Sequence, residues 1–143
     1  DGGVKIVSTN DPMIQQDEWG CGVACVASLI GVPYDVAKKR LVEYKGRGIN
    51  QSPKGLELDP IVYVLHDAGI EVLADWFAKD FPDGTIAYIK GGAPYECGHY
   101  LLKVPGGWMD PWFNMPAEDR VAKIRKGLPK GTKVKVALIP KQG

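Results

Sequence analysis

A chain of 143 residues and 15.6 kDa, 45% hydrophobic, is long enough to close one ordinary core and too short for two. Eighteen Lys and Arg against 17 Asp and Glu leave a net charge of +1, which gives no support to nucleic acid or an anionic membrane as principal partner. No stretch approaches the roughly 18 to 20 consecutive apolar residues that cross a bilayer, so no membrane span is expected.

The chain opens on DGGVKIVSTND, which lacks the basic and apolar regions of a signal peptide, and on Asp rather than Met. The expectation is one soluble domain over residues 1–143, with 1–13 as an N-terminal extension, taken from a larger protein and cytoplasmic or secreted with it. Three cysteines make an odd set, so at least one thiol is expected to be free. Cys21 and Cys25 stand one helical turn apart, where Cβ atoms are about 5 to 6 Å from each other, and a disulfide wants about 3.5 to 4.5 Å. Three Cys and two His supply no paired short metal-ligand spacing, and neither metal nor cofactor is expected.

In chain order, Cys21 to Ile30 reads CGVACVASLI, small and apolar nearly all round and stopped by Gly31 and Pro33, which predicts a short buried helix. A second helix is expected after Asp35 as its cap, through VAKKRLVEY, and the Gly- and Lys-rich loop KGRGINQSPKG follows as a candidate rim or lid. Asp59 and Pro60 predict a third helix, with Ile61, Val62 and Leu65 on one face and Gly69 at its end. From Ile70 the pattern turns to short β-branched and aromatic runs, IEVLADW, TIAYIK, HYLLKV and KVKVALI, separated by Gly, Pro and Asp. Their partial alternation suits antiparallel strands with one face toward the helices and one toward water. PAEDRVAKIRKG reads as one more helix, and the seven basic residues from Arg120 to Lys135 as a solvated face. Helices first and strands after predict an α+β fold, N-terminal helices packed on a C-terminal antiparallel sheet.

Cys21 stands at the start of the buried helix, where unpaired backbone N–H groups and the helix dipole favour a thiolate over a thiol. His99 opens the strand HYLLKV after Gly98, and eleven residues on, past the Pro105-Gly106-Gly107 turn, Trp108-Met109 brings Asp110 back beside it. Nucleophile, base and orienter form the triad Cys21, His99 and Asp110. Gln15, six residues before Cys21, is the expected oxyanion donor, in preference to Gln16. His66, in the last turn of the third helix, is read as structural, Cys25 as core, and Cys97 as a thiol near the cleft that would form a redox lock with Cys21.

At these residues the chain resembles the papain-like bacteriocin-processing peptidases that remove double-glycine leaders, and their stand-alone peptidase-like relatives. The resemblance runs from about Gln15 to Pro111 and is carried by QQDEWGCG, the helix GVACVASLIG, Gly98-His99 opening a strand, and Asp110-Pro111. It implies a papain-like fold, with oxyanion donor, nucleophile, base and orienter at Gln15, Cys21, His99 and Asp110. Relatives of this fold also carry out acyl transfer, deamidation or isopeptide cleavage, all beginning with thiolate attack on a carbonyl. The leading expectation is a cysteine hydrolase acting on a peptide or protein substrate. Two alternatives stay open: a toxin or effector module of a larger exported protein with a neutralising, immunity-type partner, and a peptide-binding domain that has lost the chemistry.

Overall fold

A computed structural model describes residues 12–45 and 58–141. The loop expected as a rim or lid, apart from its first residue Lys45, and all but two residues of the N-terminal extension lie outside them. Three helices come first: α1 (Cys21–Ile30), α2 (Tyr34–Lys45) and α3 (Leu58–Asp67). Six strands follow: β1 (Val72–Asp75), β2 (Ile86–Gly91), β3 (His99–Val104), β4 (Gly107–Asp110), β5 (Lys123–Arg125) and β6 (Thr132–Pro140). All neighbours in the sheet are antiparallel, in the order β1-β6-β2-β3-β4-β5, so the fold is α+β as expected.

α1 is the core helix. Residues Cys21 to Leu29 are all buried, and Gly31 ends the helix in the left-handed region at φ 76°, where a side chain would be strained. Val23, Val26 and Leu29 pack with Leu41 of α2, Ile61 and Leu65 of α3, and Ile86, Leu102 and Met109 of the sheet. No single helix among the described residues is long and apolar enough to cross a membrane. Helices α2 and α3 each begin two residues earlier than their expected caps imply. Asp35 and Asp59 lie inside the first turns, where a carboxylate still meets the positive end of the helix and Pro60 gives up an N–H that has no partner there.

Two expectations fail in the sheet. The face turned away from the helices is not left to water: Ala87, Ile89, Leu101 and Trp108 form a second core there, closed by Tyr95, Phe81, Met115 and Leu128 from the connecting segments. Phe81 meets Trp108 edge to face at 5.4 Å. PAEDRVAKIRKG does not form a helix. Asn114 ties this segment into a loop instead, donating from Nδ2 to the Asp119 carbonyl and accepting the Val121 N–H, and Lys123 to Arg125 then pair with β4 as an edge strand. Backbone pairing with β4 outweighs a helical propensity that an isolated segment of this length holds only weakly.

Candidate active site

Gly20 is the N-cap of α1 and no side chain caps it, so the amide N–H groups of the first turn, Cys21 among them, have no intrahelical acceptor. The turn that precedes the helix is pinned from behind. The Tyr34 hydroxyl donates to Asp17 Oδ2 at 2.7 Å, and Lys38 Nζ lies 3.1 Å from the same carboxyl oxygen. A Cβ on Gly20 would fall 1.9 Å from the Tyr34 hydroxyl oxygen, so this position accepts only glycine while Tyr34 stays in place.

His99 is the first residue of β3, and its approach is equally constrained. Gly98 has φ 89°, and a Cβ there would lie 2.0 Å from the Tyr88 hydroxyl oxygen. The hairpin that follows turns at Pro105 and Gly106, with Gly106 at φ 90°, and pairs Val104 with Gly107 and Leu102 with Met109. Continuing that register by one step sets Asp110 beside Leu101. His99, two residues earlier on the same face, is then its diagonal neighbour.

The contact is direct. His99 Nε2 lies 2.6 Å from Asp110 Oδ1, with both residues 1% exposed or less. The ring also shares a hydrogen bond with Cys21, for which Nδ1 is the nitrogen left. Burial works against an imidazolium, but hydrogen bonds to Asp110 and Cys21 and the charges behind them outweigh it and push His99 up to about 9. Asp110 shows the mirror image. Burial opposes its charge, and the hydrogen bond and charge of His99, then Arg125 and the Trp112 N–H, hold it below the usual carboxylate range. Three of the residues singled out in the sequence therefore meet in one buried cluster, with Cys21 6% exposed.

Gln15 reaches the same region and is 1% exposed. Its backbone N–H donates to the Pro111 carbonyl at 3.2 Å, tying the segment before the helix to the end of β4. Its side-chain Nε2 donates to the carbonyls of Asp17 at 2.9 Å and Glu18 at 3.1 Å, which shapes the turn leading into Cys21. Oε1 is buried without a hydrogen-bond partner among the described residues. Gln16 is exposed, Cys25 is fully buried, and burial, then Cys21 and Asp110, push the Cys25 thiol up. His66 is exposed in the last turn of α3 and pairs with Glu71 at 2.5 Å, in keeping with a structural role. Cys97 is exposed and all three thiols are free.

Arg125 was expected on the solvated basic face, and its side chain is only 18% exposed. It sits opposite Trp108 in the β4–β5 ladder, diagonal to Asp110, and donates from Nε to Asp110 Oδ2 at 2.6 Å. Its Nη2 donates to the Tyr95 hydroxyl and the Phe113 carbonyl, each at 3.1 Å, and the guanidinium lies 4.4 Å from the Phe113 ring centroid. No local signal marks this residue among its basic neighbours. Only the strand pairing that replaces the expected helix brings it to the carboxylate.

No family model matches the chain, and no curated protein matches it by sequence. Among solved structures, a double-glycine motif protease from an AMS/PCAT transporter, crystallised in complex with the leader peptide, matches with a TM-score of 0.59. The match covers 93% of this chain and 91% of that one, at 15% identity. The fold is that of a papain-like peptidase. The likeness to double-glycine peptidases that the motifs carry is thereby met in the architecture of the chain.

Proposed function

We propose that this chain is a papain-like cysteine hydrolase that cleaves a peptide or amide bond. The observation that carries the reading is the placement of His99, buried between Cys21 and Asp110 with Nε2 2.6 Å from Oδ1. Cys21 Sγ attacks the carbonyl carbon, and the thiol proton, held at His99 Nδ1, passes to the leaving amine as the C–N bond breaks. This leaves a thioester on Cys21. His99 then takes a proton from water, the hydroxide displaces the thiolate, and the acid departs. Asp110 accepts the Nε2–H, which fixes the tautomer and stabilises the imidazolium.

The developing oxyanion is held by N–H groups at the start of α1 and by Gln15, whose Nε2 turns one of its two N–H donors from a backbone carbonyl to the substrate oxygen. Arg125 is a positioning residue that holds the second oxygen of Asp110. Peptide as the substrate class is supported by the solved neighbour of the same fold, which was crystallised with a leader peptide.

An electrophilic peptide probe that alkylates active thiols tests the proposal. Labelling is expected at Cys21 in the wild type and is lost in His99→Ala, and turnover of a peptide pool, read by mass, is lost in Cys21→Ala. Failure of Cys21 to label while Cys97 does would overturn the assignment.

A further inference from the structure

We propose that Lys90, Lys133 and Lys135 form a subsite for an acidic side chain of the peptide attacked by Cys21, an inference that rests on the hydrolase reading above. Lys90 and Lys133 stand directly opposite each other in the β2–β6 ladder, where like charges repel. Lys135 lies beside the register shift of the same ladder and joins them around an open cavity of about 450 Å³. Gly91, Gly131 and Glu96 complete its lining, so three lysines and one glutamate border it. All three lysines are exposed, and none forms an ion pair among the described residues.

The cavity has a structural cause. A Cβ on Gly91 would fall 2.2 Å from the Gly131 carbonyl oxygen, so the two backbones approach where no side chain fits and the lysines surround the space left above them. An unneutralised cross-strand pair of like charges destabilises a sheet unless a counter-charge fills the space between them.

Position relates the cluster to the catalytic residues. Lys90 follows Tyr88 by two residues on the same face of β2, about 7 Å along the strand. The Tyr88 hydroxyl donates to the Cys97 carbonyl at 3.1 Å, just before Gly98-His99. The same hydroxyl oxygen would lie 2.0 Å from a Cβ on Gly98, next to His99, and burial first, then Cys21 and Cys97, push its pKa above the ordinary value. Tyr88 thus links the nucleophile to the lysines, and an extended peptide rising about 3.3 Å per residue carries a carboxylate to them within a few residues of the attacked carbonyl. Charge complementarity with an acidic peptide fits a cluster of this size, set in a chain of nearly neutral net charge.

The test uses two fluorescein-labelled peptides, one with a run of Glu and one with Gln at the same positions. Binding is measured to Cys21→Ala and to Cys21→Ala carrying Lys→Glu at all three positions, with a Lys→Gln triple as a second variant in case glutamates disturb the sheet. The Glu peptide is expected to bind at least about fivefold more tightly than the Gln peptide, with the margin shrinking in about 0.5 M salt and vanishing in both triples. Equal binding of the two peptides, or a preference that survives in both triples, would overturn the subsite. So would preferential capture of a single-stranded oligonucleotide over the Glu peptide. Cleavage by the wild type separates the two claims. Both peptides cut at equal rates removes the subsite and leaves the hydrolase; the expected binding pattern without cleavage removes the hydrolase and leaves an acidic-peptide site.

Discussion

Arg125 Nε donates to Asp110 Oδ2 at 2.6 Å, on the oxygen that His99 leaves free. Asp110 is therefore clamped from two neighbouring strands, and the clamp sets the first prediction. Arg125→Met strips one partner from a buried carboxylate, and we expect a loss of about 2 to 3 kcal/mol in denaturant unfolding. A fall of about 10- to 100-fold in kcat/KM accompanies it, the size seen when an outer partner of an active group is removed. Arg125→Lys keeps the charge without the planar fork and recovers part of both. The readout that separates positioning from mere stability is the proton resonance of His99 Nε2–H, expected sharp and downfield in the wild type and broadened in Arg125→Met. An unchanged resonance would reduce Arg125 to a stabilising contact.

The raised His99 gives stability a direction in pH. In the unfolded chain the imidazole returns to its ordinary value near 6.5, and in the fold it stands at about 9. Its contribution is therefore fully present below about 6.5 and is lost as pH rises through about 9. Asp110, held low, contributes above its unfolded value and loses that contribution as pH falls through its folded one. Unfolding midpoints at about pH 6 and about pH 10 should differ more in the wild type than in His99→Gln. Equal differences in the two proteins would remove the ion pair from the account.

Three thiols in three surroundings should react in three ways. Cys25 is fully buried with its thiol pushed up, and it is expected to resist iodoacetamide until the chain unfolds. Cys97 is exposed and reacts in the folded protein whether or not His99 is present. Cys21, hydrogen-bonded to His99, should react fastest of the three and lose that advantage in His99→Ala, with modified sites read by peptide mass.

Gly20→Ala drives a methyl group into the Tyr34 hydroxyl, and a cost of about 1 to 3 kcal/mol is expected. Because φ at Gly20 is −87°, the backbone itself tolerates alanine. Tyr34→Phe removes the oxygen that clashes, so the double variant should be more stable than the sum of the single losses implies. Strict additivity would show that the conflict lies elsewhere in the turn.

Much of this site was legible in the sequence because its signals are local. Small residues from Cys21 to Ile30 mark a helix that has to be buried, and Gly98-His99 with Pro105-Gly106 marks a strand and a hairpin whose return ends at Asp110. Arg125 was not legible, because its partner is chosen by a strand pairing and its own segment carries a helical pattern. The second core failed for a related reason. Phe81, Tyr95 and Met115 sit in connecting segments, where no periodicity announces which face of the sheet they will cover.

Strand β6 closes the described sequence yet lies in the interior of the sheet, between β1 and β2, which do not pair with each other. Along the chain Cys21 comes first, and β6 begins 22 residues after Asp110. Until that strand has emerged, β2 has an open edge and the sheet that carries His99 and Asp110 is unfinished. Completion of the sheet that carries His99 and Asp110 therefore waits on the strand that is last among those described.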